Sequence, residues 1–190
     1  MDLTIAHATR PCAGETVNGD AIMVRSDATA TLIAIVDALG HGPEAAEVAA
    51  RACAHLVEVP LASTPSAIVE LLHAGLAGTR GAAALVCIVR GAMLYVSGIG
   101  NVELRSLTGS VSVPLVPGIL GKRIRRISEQ RSPLHLGERL ALFSDGIASR
   151  VNLGEHREQS ADACCDAILQ RHGRPHDDAS VVVVDVGGYP

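Results

Sequence analysis

The chain has 190 residues, 20 acidic against 16 basic side chains, a formal net charge of −4, and no Trp, one Phe and two Tyr. That length fits one domain, 1–190, with a real core, and the composition requires that core to be built from small aliphatic groups. The mild acidity excludes a general nucleic-acid binder, no apolar run reaches the roughly 18–20 residues of a membrane span, and Met1-Asp2-Leu3 lacks the features of a signal peptide, so a cytoplasmic protein is expected.

Leu3 to Ala8 reads as a first strand. Pro11 to Asp20 is a turn region whose end, Val17-Asn18-Gly19-Asp20, has the composition of a hairpin connection. Ala21 to Arg25 and Thr29 to Val36 read as neighbouring strands, which sets Asp20 beside the end of the second. Leu32-Ile33-Ala34-Ile35-Val36 is apolar and mostly branched, as a strand buried on both faces should be. It stops on Asp37, and Gly40 and Gly42 then allow a sharp turn. Pro43 opens a helix ending near Val59, with a broad apolar face from Ala45 to Val57. Ser63 or Thr64 caps a second helix, Pro65 to Ala77.

Gly81 to Val89 and Met93 to Gly98 form a hairpin, and Val102 to Leu107 is a further strand. Lys122 to Gln130 reads as a polar edge strand, with Lys122, Arg123, Arg125 and Arg126 as solvated charge that blocks stray pairing. Glu138 to Ser144 is a strand ending at Asp145, where a helix is expected to start. Gly154 to Ser160 is a polar loop, Ala161 to Arg171 a helix, and Ala179 to Val186 the last strand. The five cysteines are scattered, with no C-x-x-C spacing, and read as packing residues in a reducing compartment. A strand-rich hairpin pattern of this kind gives an α+β fold of two packed sheets with helices outside.

Three strand ends carry acid: Asp37, Asp145, and Asp177-Asp178 ahead of Val181-Val182-Val183-Val184. With Asp20 they can converge on a hard cation, since Mg²⁺ and Mn²⁺ prefer carboxylate, carbonyl and water oxygens. Turn chemistry alone accounts for any single Asp-Gly. Gly40-His41-Gly42 before a helix can also cradle phosphate, but the chain lacks the G-x-x-x-x-G-K and G-x-G-x-x-G patterns of nucleotide binders.

In order, Asn18-Gly19-Asp20, Val36-Asp37-Ala38-Leu39-Gly40-His41-Gly42, Phe143-Ser144-Asp145-Gly146 and Asp177-Asp178-Ala179-Ser180 resemble the acidic motifs of the metal-dependent PPM (type 2C-like) protein phosphatases. The resemblance covers nearly the whole chain. The small size, with Thr79-Arg80-Gly81-Ala82-Ala83 and Ile99-Gly100-Asn101-Val102, looks most like the stressosome feedback members of that family, and SpoIIE-type phosphatase domains are also similar.

The resemblance implies two stacked antiparallel β-sheets flanked by helices, with two Mn²⁺ or Mg²⁺ ions at one edge. It assigns Asp37 as the ligand bridging both ions, the carbonyl of Ala38 and the carboxylate of Asp20 to one ion, and Asp145 and Asp178 to the other, with Asp177 as the substitute for Asp178. It implies hydrolysis of phosphoserine or phosphothreonine by a water between the ions. His41 is either the general acid for the leaving oxygen or the residue that orients its turn. The implied partner is a phosphorylated STAS-domain protein of a bacterial stress complex, met by a monomer, with neither nucleic acid nor membrane involved. A non-catalytic pseudophosphatase acting as a binding module is the alternative. The family's motif usually has Gly where this chain has Ala38; if the position needs φ > 0, alanine costs about 1 kcal/mol. Larger members carry an Arg shortly before the first acidic motif, and Arg10 is too far from Asp20 to take that role.

Overall fold

The computed structural model describes residues 1–187; the last three positions of the expected 1–190 domain lie outside the described residues. Nine strands form two antiparallel sheets. One holds β2 (Asp20–Ser26), β3 (Thr31–Ala38), β4 (Ala82–Arg90), β5 (Met93–Ile99) and β7 (Glu129–Pro133), in the order β2-β3-β4-β5-β7. The other holds β1 (Leu3–Arg10), β6 (Glu103–Ser106), β8 (Arg139–Phe143) and β9 (Ala179–Val186), in the order β1-β9-β8-β6. Helices α1 (Pro43–Glu58) and α2 (Pro65–Gly75) cover the first sheet, and α3 (Ala161–His172) covers the second.

The period of two along each strand separates the layers. Leu32, Ala34 and Val36 of β3, with Ala84, Val86 and Ile88 of β4, face α1 and α2, meeting Ala45, Ala52, Leu56, Ile68 and Leu72. The alternate residues Ile33, Ile35, Leu85 and Cys87 face the other sheet and meet Leu140, Leu142, Val182 and Val184. Ala141, Phe143, Val181 and Val183 turn outward to α3, where Cys164 and Cys165 pack. All five cysteines are unpaired. The α/β/β/α sandwich expected from the sequence is the fold of this chain.

Thr64 caps α2, its hydroxyl accepting from Ala67 N at 3.2 Å, with Pro65 following. Four expectations are corrected. Val17 to Asp20 is not a hairpin connection, because β1 and β2 lie in different sheets and the segment crosses between them. The edge strand expected over Lys122 to Gln130 is shifted: β7 runs Glu129–Pro133, and 122–126 belongs to a loop. No helix starts at Asp145; Ala148 N donates to His172 O, and Arg174 N to Gly146 O, so this backbone is paired across to the end of α3. The expected loop around Gly154 holds a short 3-10 helix, Leu153–His156, with Asn152 as its cap.

Candidate metal centre

Each sheet contributes acid to one edge of the sandwich. Asp20 opens β2 and Asp37 lies near the end of β3, and the two are directly opposed in the antiparallel register. Asp145 follows β8 and Asp177 precedes β9, which pairs with β8. Gly146 makes the second pair possible: a Cβ there would lie 1.8 Å from the carbonyl oxygen of Asp178, so only glycine admits the close approach of the two segments.

The turn after Asp37 is fixed by its backbone. Ala38 N donates to Gly19 O at 3.1 Å, and Leu39 N to Gly81 O at 3.0 Å. Gly40 and Gly42 have φ of 79° and 76°, which carries the chain into α1. Ala38 is unstrained, because no described residue other than glycine has positive φ.

Burial and mutual repulsion raise Asp37, Asp20 and Asp177. Asp37 is pushed up to about 9, first by burial and then by the carboxylates of Asp20, Asp145 and Asp177. Asp20 is pushed up to about 7 by burial, with Asp178 and Asp177 adding to it; the hydroxyls of Ser144 and Ser180 oppose the shift. Asp177 is also raised, by burial first and Asp145 next, while His41 acts the other way. Among the described residues, no three His, Cys, Asp or Glu side chains already form a closed ligand set. The cluster is an open group of hard oxygen donors with excess negative charge, and its donor chemistry fits Mg²⁺ or Mn²⁺ rather than a softer ion.

Asp178 stands apart from the others. Its Oδ1 accepts from Cys12 N and its Oδ2 from Gly19 N, both at 2.8 Å. It pins the 12–19 crossover to the start of β9, so both oxygens of this carboxylate, expected from sequence as a ligand with Asp177 as its substitute, are engaged by backbone amides. Asp178 N in turn donates to Asp177 Oδ1 at 3.0 Å.

Three further residues support the cluster and were not singled out from sequence. Ser144 Oγ donates to Asp20 Oδ2 at 2.6 Å and accepts from Ser180 N at 3.1 Å, linking the sheets. Asn101 Nδ2 donates to Asp145 Oδ2 at 2.6 Å. Glu15 Oε1 lies 2.9 Å from His41 Nδ1, holding the ring at the exposed side of the turn. Only Ser144 had a local signal, its place beside Asp145. Arg10 donates to Arg174 O, away from the role of a phosphate grip.

A profile of the Stage II sporulation protein E (SpoIIE) family matches residues 27–187. The chain belongs to the SpoIIE family of PPM-type phosphatases. A chain from a structural study of the bacterial stressosome, described as a modular system adapted to control secondary messenger signalling, is 30% identical to this member of the family; 97% of this chain and 100% of that one superimpose, with a TM-score of 0.90. RsbX in complex with magnesium is 19% identical over 96% of this chain and 94% of its own, with a TM-score of 0.81. The catalytic domain of the serine/threonine protein phosphatase PstP in complex with two manganese ions is 19% identical over 96% of this chain and 97% of its own, with a TM-score of 0.70. The family's PP2C-like fold is therefore common to all of these. A search of curated protein sequences gives no significant match.

Proposed function

We propose that this chain, as one PPM-type domain, is a metal-dependent protein serine/threonine phosphatase. The observation that carries the reading is the crowding of Asp20, Asp37, Asp145 and Asp177 at one sheet edge, where burial and like charge raise Asp37 and Asp20. Apolar packing alone gives no reason to gather four acids in one place; divalent cations relieve the repulsion. Asp20, Asp37 and the Ala38 carbonyl would hold one ion, and Asp37, Asp145 and Asp177 the other. Bound there, Mn²⁺ or Mg²⁺ supplies an activated water and neutralises charge on the phosphoryl group. Asn101 orients Asp145 and Ser144 orients Asp20 through their hydrogen bonds. Glu15 pairs with His41, whose ring would give a proton to the departing serine or threonine oxygen.

The substrate reading is a phosphorylated STAS-domain signalling protein in the bacterial cytoplasm, met by a monomer. Its support is the likeness to a stressosome chain and to RsbX. No helix among the described residues is long and apolar enough to cross a membrane.

The test is hydrolysis of p-nitrophenyl phosphate in Mn²⁺, in Mg²⁺ and in EDTA, by the wild type and by Asp37→Asn. Metal-dependent turnover that disappears in the variant is the expected result. The same pair is then given a phosphorylated STAS-domain protein. A wild type inert toward both substrates overturns the enzyme reading in favour of a binding module.

A further inference from the structure

The loop between β6 and β7 carries four of the chain's 16 basic residues within five positions, Lys122, Arg123, Arg125 and Arg126. Their location rules out the role of guarding a sheet edge, because the 122–126 segment lies outside both sheets. All four are exposed, and among the described residues none has a side-chain hydrogen bond or ion pair. Arg80, the next cation along this side, is already engaged by Leu39 O and Glu44.

The loop is held in place. Leu120 and Ala82 exchange two backbone hydrogen bonds, of 3.3 and 2.8 Å. Ile119 N donates to Arg123 O and Lys122 N to Ile119 O, closing a tight turn. Gly121 N donates to His73 Nδ1 at 3.1 Å, and Ile124 and Ile127 pack onto the core beneath α1 and α2. A Cβ on Gly81 would lie 3.2 Å from Lys122 Cγ, so the Lys122 stem runs past Gly81. The carbonyl of Gly81 is the one that holds Leu39 in the turn after Asp37. The backbone that carries these cations is thus fixed, and the Lys122 stem is tied through Gly81 to the turn after Asp37.

Cations left free on a fixed loop are available to an anionic counterpart from outside. Four cationic side chains within five residues carry more positive charge than one phosphate balances. The chain as a whole is acidic, so a polyanionic partner is repelled elsewhere and steered here. Through Gly81 the loop is joined to the turn that follows Asp37, the turn that a phosphorylated side chain would meet on the phosphatase reading, which favours protein over lipid as the partner. Building on the phosphatase reading of the site, we infer that the 122–126 loop docks an acidic protein segment flanking the phosphorylated residue. It selects substrates through KM, since its charges do not touch the reacting atoms.

The experiment uses two fluorescein-labelled phosphoserine peptides, one flanked by glutamates and one with those glutamates replaced by glutamine. Binding is read by fluorescence anisotropy with Mn²⁺ present, and p-nitrophenyl phosphate turnover is measured in parallel. The wild type is expected to bind the acidic peptide about ten-fold more tightly at about 50 mM salt, with the preference lost near 0.5 M. Arg125→Glu/Arg126→Glu is expected to abolish the preference and leave p-nitrophenyl phosphate turnover unchanged. Equal affinity of the wild type for both peptides, or a preference that survives the double variant, overturns the inference. So does loop-dependent binding to phosphatidylglycerol vesicles without a peptide preference, which identifies a membrane instead. A peptide preference in a protein that turns over no p-nitrophenyl phosphate sustains the docking surface and counts against the catalytic reading alone.

Discussion

Asp37→Asn has an effect on stability that is opposite in sign to its effect on metal binding. Asp20 and Asp37 are directly opposed across β2 and β3, which sets their Cβ atoms about 5 Å apart. At an effective dielectric of about 20, two unit charges at that distance repel by about 3 kcal/mol. Both groups have folded pKa values above the unfolded value of 3.8, Asp20 near 7 and Asp37 near 9. The unfolded chain therefore ionises first. Below about pH 4 the two states carry the same charge here, and as pH rises through 7 and 9 the metal-free fold is progressively destabilised. Replacing Asp37 with a neutral isostere removes that cost. Taking about 2–3 kcal/mol as the gain at pH 8, and about 2–4 °C per kcal/mol for a chain of this size, Tm in EDTA rises by about 5–10 °C, with a smaller gain at pH 5. Saturating Mn²⁺, about 2.7 kcal/mol at a hundred times Kd, raises the wild type by a similar amount and leaves the variant unmoved. Scanning calorimetry at both pH values, with and without Mn²⁺, measures all four differences. A Tm in EDTA at pH 8 no higher than the wild type's, or a full Mn²⁺ response in Asp37→Asn, would refute the reasoning.

Asp177→Ala and Asp178→Ala separate the ligand from the anchor. Asp178→Ala loses two hydrogen bonds to a carboxylate, about 1.5–3 kcal/mol each, and urea melts should show most of that loss, while Asp177→Ala should melt close to wild type and lose the Mn²⁺ response in titration calorimetry. His41→Ala should slow release of phosphate from a phosphoserine peptide by about 10²-fold or more and p-nitrophenyl phosphate much less, because p-nitrophenolate departs without a proton; equal slowing of both in steady-state assays would assign His41 to orienting the turn. Arg139 is fully buried, with Nε 2.6 Å from Asp185 Oδ1 and further bonds to His156 O and Gln159 O, so Asp185→Ala strands its charge and should cost about 3–5 kcal/mol in denaturant titration.

What the sequence made legible follows the range of the forces involved. The run Leu32 to Val36 and its stop at Asp37 are local, and β3 ends at Ala38, one residue past the acid. The opposition of Asp20 to Asp37 also followed, because neighbouring strands joined by a short turn share a register. Val17-Asn18-Gly19-Asp20 carries a turn signal, but nothing local says whether a turn stays in one sheet or crosses to another. Lys122 to Gln130 mixes Ile124 and Ile127 with cations, which reads as a polar edge strand, yet the backbone of its first residues is spent on a turn with Ile119 and on a bridge to Gly118. The choice between Asp177 and Asp178 depends on which carboxylate the Cys12 and Gly19 amides reach, a contact spanning more than 150 positions. Glu15 and Asn101 look like any polar turn residue until the fold brings them to His41 and Asp145.

The acids of the cluster come in pairs, Asp20 and Asp37 from one sheet, Asp145 and Asp177 from the strand ends of the other. Within a pair the spacing is set by hydrogen-bonded ladders, which hardly stretch. Between pairs it is set by the lie of one sheet across the other, held by side-chain packing, by the Ser144 link to Asp20 and by the Asp178 bond to Gly19. The interlayer is thus the vernier of the centre: a methylene added or removed at Leu85 or Leu142, in the packing between the sheets, slides one pair past the other and retunes the gap an ion must span.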